Sequence, residues 1–387
     1  MYNAYSTAVC FTVSPLRVEA EMSIEYTTKA TQAAPRNLVV GGRGASLEEI
    51  ARALSERPFK PHPLFVNGHA QTLGAYVWPR RFQYRSHTRD AKRLFTIEEG
   101  VQLLAYCRWQ EEPRRHPTVV LVHGLEGSSS SIYILGTAAK AFLAGFNVVR
   151  LNLRNCGSTE HLTPTLYNSG MSGDLNSVVN ELIERDNLRR IFLVGFSMAG
   201  NMALKLAGEA PHALPPALAG ICAISPSIDL ATSAVALEDR ANWLYQQSFI
   251  RSLRRRMRYK QKLFPDIYDI TDLNLVRTVR DFDKRYTSLH GGYESAEDYY
   301  ARASALPLIG NIQTPTLLIH AQDDPFIPFH SFRDPALTTN PSIIFIAPEH
   351  GGHVGFVAAD TVGEDRFWSE NRIVQFCRLI DETRATA

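Results

Sequence analysis

Ile191-Phe192-Leu193-Val194-Gly195-Phe196-Ser197-Met198-Ala199-Gly200 is the stretch whose reading decides the fold. Ile191 to Val194 is a short apolar run that reads as a strand buried on both faces. Met198 to Ala207 reads as a helix of small residues. A serine on so sharp a strand-to-helix turn projects its hydroxyl above the sheet, and its neighbours must be small because strand and helix cross closely. Gly195, Ala199 and Gly200 meet that requirement, with Ala199 where glycine is commoner. The helix N-terminus also places partial positive charge beside any negative charge that develops there. Ser197 is therefore the candidate nucleophile; the plainer alternative is a packing turn that carries an incidental serine.

Working outward, strand signals recur at Val101–Cys107, Thr118–Val122, Asn147–Leu151, Gly220–Ile224, Thr316–His320 and Ile343–Ile346. Helical spacing lies between them at Ile132–Ala144, with Gly145 placed as a C-cap, and at Met171–Arg185. A last helix spans about Phe367–Ile380. Strands alternating with helices indicate a mostly parallel sheet in an α/β fold. The alternation breaks over 225–308, a more polar, helical stretch that reads as an insertion placed to form a lid. Its basic run, Arg251 to Lys262, reads first as a solvated helix face and second as a contact for anionic lipid head groups. Residues 1–57 carry little periodicity beyond one short helix near Leu47–Glu56 and read as a poorly ordered extension, leaving 58–387 as the domain.

Composition narrows the class. The 387 residues are 45% hydrophobic and 21% charged, with a net charge of +2, which excludes a disordered chain and removes any global argument for nucleic-acid binding. The five cysteines are odd in number, scattered and without a C-x-x-C pair, so the reading is a reducing compartment rather than a disulfide framework. The first residues lack the basic and apolar regions of a secretory signal, and Met22 is an alternative start. The most apolar long stretch, Leu214 to Leu237, is broken by prolines and Asp229 and does not read as a membrane span. The expectation is a cytoplasmic protein, with peripheral membrane association as the variant.

Three more segments carry chemistry. His123-Gly124-Leu125-Glu126-Gly127 follows a strand and could supply a backbone N–H, best that of Leu125, to an oxyanion; the second donor would be the N–H of Met198. Asp323-Asp324-Pro325 follows the Thr316 strand and offers a carboxylate to orient a histidine. His350-Gly351-Gly352-His353 follows the last strand, where His353, with small neighbours, is the candidate base and His350 its competitor. The histidines show no metal-ligand spacing, and no cofactor is expected.

Beyond these, several segments resemble the YheT-like branch of the α/β-hydrolases over about Pro63–Ile380. They are Asn67-Gly68-His69-Ala70-Gln71-Thr72-Leu73, Asn152-Leu153-Arg154-Asn155-Cys156-Gly157 (Asn155 replacing a usual glycine), Tyr167 with Gly170 and Asp174, Arg280-Asp281-Phe282-Asp283, and Asp298-Tyr299-Tyr300. The resemblance implies an α/β-hydrolase fold with a helical lid inserted before the last strands, and the chain order Ser…Asp…His. Family spacing places the acid four residues before Pro328, at Asp324, with Asp323 as the fallback. It implies a serine esterase or lipase with Ser197, Asp324 and His353 as triad, acting on short-chain, acylglycerol or phospholipid esters. A thioesterase, C–C hydrolase or acyltransferase on the same triad, or a non-catalytic lipid-binding protein, is the alternative. Arg154 is expected to be buried and paired, and Cys156 to be a structural thiol.

Overall fold

The computed structural model describes residues 46–80 and 90–385. Eight strands form one sheet: β1 (Ala91–Glu98), β2 (Val101–Arg108), β3 (Thr118–Val122), β4 (Asn147–Leu151), β5 (Ile191–Phe196), β6 (Leu218–Ile224), β7 (Thr316–Ile319) and β8 (Ile343–Ile346). Their spatial order is β1-β2-β4-β3-β5-β6-β7-β8. The β1–β2 and β2–β4 pairs are antiparallel; every other pair is parallel.

Burial follows strand position. Every residue of β3, β4, β5 and β6 is buried, because helices cover both faces of a parallel sheet. Within β3, Val119 and Leu121 face one layer while Val120 and Val122 face the other. The first layer holds α1 (Leu47–Ser55), α3 (Ile132–Leu143) and the C-terminal helix; the second holds α4 (Ser172–Glu184) and α5 (Met198–Glu209). β1 is an edge strand with only Phe95 fully buried, which is why its apolar signal is too sparse to be read in advance. A further helix unanticipated from sequence, α2 (Gly68–Val77), is capped by Asn67, whose side chain accepts the Ala70 N–H at 2.9 Å.

The domain begins earlier than the reading at Pro58. Ile50 and Leu54 of α1 are buried in the same layer as Ile373 and Phe376 of the C-terminal helix, so one face of α1 packs on the domain. Residues 1–45 of the expected extension lie outside the described residues. Between β6 and β7 the chain runs through α6 (Leu230–Leu237), α7 (Trp243–Leu263), several short turns and α8 (Ala296–Ala303) before returning to the sheet; α9 (Trp368–Ala385) closes the fold.

The basic run is not a uniform solvated face. Arg256 and Lys260 of α7 are buried, and Arg254 donates to the Asn274 and Val276 carbonyls. Only Arg251, Arg255, Arg258 and Lys262 are exposed. Helical periodicity splits the run into two faces, a division that charge counting along the chain cannot see.

Candidate active site

Ser197 sits between β5 and α5 at φ +54°, ψ −119°, a conformation L-residues rarely adopt. Its N–H donates to Ile224 O of the neighbouring strand at 2.8 Å, which pins the turn to the sheet. The small neighbours have a measurable reason. A Cβ on Gly195 would stand 2.2 Å from Ala199 O, and one on Gly124 would stand 2.9 Å from the Ser197 Cβ. Ala199 is itself fully buried, so a methyl fits at that position.

Three loops from three strand ends meet above this turn. His353 Nε2 lies 2.9 Å from Ser197 Oγ, and His353 Nδ1 lies 2.9 Å from Asp324 Oδ2. Asp324 Oδ1 accepts the Phe326 and Ile327 N–H groups at 2.9 and 3.1 Å. Burial pushes the Asp324 carboxyl up, but the facing His353 and the Phe326 N–H outweigh it and hold the group below its ordinary value. An ionised Asp324 can only accept, so Nδ1 of His353 carries the proton and Nε2 presents its lone pair to the serine hydroxyl. Behind Asp324, His320 donates from Nε2 to Ile327 O at 3.1 Å and stacks on Phe332. Burial pushes its pKa down to about 4, so it stays neutral beside Asp324 and does not compete for the charge.

The rival residues pair with each other. Asp323 accepts the Gly352 N–H at 2.9 Å, and its second oxygen lies 3.2 Å from His350 Nδ1. That pair holds the histidine loop without reaching Ser197. The loop is strained, with Gly352, Val354 and Phe356 all at positive φ. It is held by side chains from separate elements: Asp323 on Gly352, Thr72 on the His353 N–H at 2.8 Å, Ser225 on the Val354 N–H at 3.1 Å and Gln71 on the Val357 N–H at 2.7 Å. Gln71 and Thr72 come from α2, so the Asn67–Thr72 segment clasps the histidine loop. The fit is close enough that a Cβ on Gly68 would meet Asp323 O at 1.8 Å.

On the other side lies the His123-Gly124-Leu125-Glu126 loop. Burial pushes the His123 imidazole down to about 4; its Nδ1–H donates to Gly124 O at 2.8 Å and its Nε2 accepts the Leu153 N–H. Tyr133 OH accepts the Gly124 N–H. The N–H groups of Leu125 and Met198 find no acceptor among the described residues, which leaves both donors open to a ligand. Glu126, at φ +55°, anchors the loop. Its carboxylate accepts Arg256 Nε at 2.9 Å and Tyr167 OH at 2.7 Å, and it is also bonded to the Ser252 hydroxyl. Arg256 bonds the Asn155 carbonyl as well. Sequence reasoning missed this network because its members lie up to 130 positions apart. Nearby, Arg154 is paired with both oxygens of Asp174 at 2.7 and 2.6 Å, and Cys156 is a buried thiol pushed up to about 12 by burial.

Aromatic rings line the approach. Phe326 lies 4.6 Å from His353, Tyr245 of α7 lies 4.6 Å from Phe326, and His69 of α2 stacks on Tyr245. Among the described residues no group of three or more His, Cys, Asp or Glu is arranged to hold a metal ion.

Residues 117–360 match the alpha/beta hydrolase fold family. YheT of Escherichia coli is 30% identical over 321 residues, 82% of this chain and 92% of that protein. The monoacylglycerol lipase of Saccharomyces cerevisiae is 30% identical over 69% of this chain and 60% of its own length. Phospholipase ABHD3 of Homo sapiens is 28% identical over 62% of this chain and 59% of its own. With the family match spanning more than half of the sequence, and with the sheet order and the strand-to-helix turn described above, the chain belongs to the α/β-hydrolase family, on its YheT-like branch.

Proposed function

We propose that this enzyme hydrolyses carboxylic esters through an acyl-enzyme on Ser197. The observation that carries the reading is the continuous hydrogen-bonded chain Ser197–His353–Asp324 on a strained turn. Ser197 Oγ attacks the ester carbonyl as His353 Nε2 takes its proton. The carbonyl oxygen becomes an oxyanion held by the N–H groups of Leu125 and Met198, at about 3–4 kcal/mol per donor. His353 then returns the proton to the leaving alcohol. Water repeats the sequence: His353 takes its proton, the acyl group leaves as the acid, and Ser197 recovers its hydrogen. Asp324 stays ionised throughout and stabilises the imidazolium.

Relatives named as a monoacylglycerol lipase and a phospholipase support glycerolipid esters as the substrate class. The apolar wall of Phe326, Tyr245 and Phe249 beside His353 supports it independently, because it suits an acyl chain better than a polar acid. The helical insertion 225–308 contributes that wall through α7 and acts as the lid.

The test is labelling with a fluorophosphonate, the modified peptide being mapped by mass spectrometry. Labelling at Ser197, lost in Ser197→Ala, together with turnover of short and medium acyl esters, is the expected result. A folded protein that resists the probe and turns over no ester refutes the assignment and favours a non-catalytic lipid-binding role. Turnover confined to thioesters moves the chemistry to the thioesterase alternative.

A further inference from the structure

α7 is the basic element of the insertion. Its 21 residues contain seven Lys or Arg and no Asp or Glu. Arg254, Arg256 and Lys260 are spent inward on carbonyls and Glu126. Arg251, Arg255, Arg258 and Lys262 follow one another at four-, three- and four-residue steps, which puts them in a single outward stripe. None of the four has an ion-pair partner among the described residues. Leu244, seven positions before Arg251 and 70% exposed, heads the same stripe.

The apolar surface concentrates in the same place. Of the sixteen large apolar side chains exposed among the described residues, nine fall within 64–77 and 243–263. Those two segments touch through the His69–Tyr245 stack. Leu64, Val66, Leu73 and Val77 belong to the segment that His69 joins to Tyr245, and Trp243 and Leu244 head α7 beside Tyr245, which leads to Phe326 and His353. Single exposed apolar residues need no explanation, but a cluster beside a site does. A nucleic-acid partner would account for the cations and not for the leucines and valines; an anionic lipid surface accounts for both.

We propose that the outer face of α7, with the exposed apolar residues of 64–77, docks the enzyme on an anionic lipid surface. Leu244, Trp243 and the 64–77 side chains enter the acyl boundary, and the four cations lie on lipid phosphates. The N-terminal end of α7 then sits at the surface, so an ester-bearing lipid reaches His353 and Ser197 without crossing bulk water. The proposal rests on the esterase reading for its purpose but not for its binding chemistry.

The experiment is flotation of the full-length protein with phosphatidylcholine vesicles and with vesicles containing phosphatidylglycerol, over a salt series. The comparison is the combined variant R251E/R255E/R258E/K262E, with hydrolysis of a water-soluble short-chain ester measured in parallel. Each cation near an anionic surface strengthens binding about fivefold, so losing four is expected to weaken it by at least several hundredfold. The wild type should bind the anionic vesicles alone, less well as salt rises, while the variant should lose vesicle binding and keep soluble-ester turnover. Binding of both proteins alike, binding indifferent to lipid charge, or no vesicle binding by the wild type overturns the docking proposal. Absence of soluble-ester turnover in a wild type that still floats would instead overturn the esterase reading and leave the docking surface standing.

Discussion

Replacing Arg256 by Met separates two roles of α7. Arg256 and Glu126 are 9% and 5% exposed, and their pair joins the insertion to the loop that carries Leu125. Removing one partner of such a pair strands a buried charge, at about 3–5 kcal/mol. Here Glu126 keeps the Tyr167 and Ser252 hydroxyls, so about 3 kcal/mol is expected. The consequence for catalysis follows from position: Leu125 is one residue from Glu126. Loss of an oxyanion donor costs about 10²–10³ in kcat, so a displaced donor should cost roughly 10–100-fold with KM nearly constant. pH supplies a further readout. In the wild type, burial pushes the Glu126 carboxyl up, but Arg256 and the hydrogen bonds prevail and hold it down. The stability this adds is present above the unfolded carboxylate value and is lost as pH falls through the folded one. Without Arg256, only the Tyr167 and Ser252 hydroxyls oppose burial, so the stability lost on acidification through Glu126 should be smaller in R256M than in the wild type. Steady-state kinetics on a soluble ester and denaturant unfolding across pH measure all of this, and E126Q/R256M, which removes both charges, should recover more than half of the lost stability. An R256M enzyme that is destabilised but keeps its full kcat would refute the link to the oxyanion loop.

Three further outcomes are expected. Gly68→Ala should lower both stability and kcat, because its Cβ would meet Asp323 O at 1.8 Å and push α2 off the loop that holds His353; unchanged kinetics would show the clasp to be idle. Asp324→Asn should lower kcat by about 10⁴ through loss of the correct His353 tautomer, whereas Asp323→Asn should cost about tenfold or less by loosening the Gly352 bond. Equal losses in these two variants would remove the distinction between acid and brace. Asp283 is buried against Tyr300 OH at 2.9 Å, and burial pushes its carboxyl up to about 6 despite that bond and Thr287. Between about pH 4 and 6 the folded state holds a proton the unfolded state has released, so stability falls as pH rises through that window, by roughly 3 kcal/mol. A melting series in Asp283→Asn should lose this slope, and a slope that persists would place its origin elsewhere.

Local sequence carried the centre of the sheet. β3, β4 and β8 lie where the apolar runs end; β3 and β4 are covered on both faces, while β8 is the far edge strand, apolar although only Ile344 is buried. The edge strand β1 was illegible for the converse reason: only Phe95 is fully buried, and Ala91-Lys92-Arg93 carries no pattern. α2 escaped because its faces serve the histidine loop instead of a core, so Gln71 and Thr72 are buried for their hydrogen bonds rather than their apolarity. The basic run was misread because sequence displays charge but not whether a carbonyl or Glu126 faces it across the insertion.

By itself, then, the sequence determined the α/β alternation, the glycine and alanine pattern around Ser197, and the chain order of serine, carboxylates and histidines, since each depends on neighbours within a few residues. Only tertiary structure decided which aspartate meets which histidine: Asp324 with His353, Asp323 with His350. Adjacent residues in a loop point in different directions, and the choice between them is made by Thr72, Ser225 and Gln71 holding a strained backbone from elsewhere in the chain.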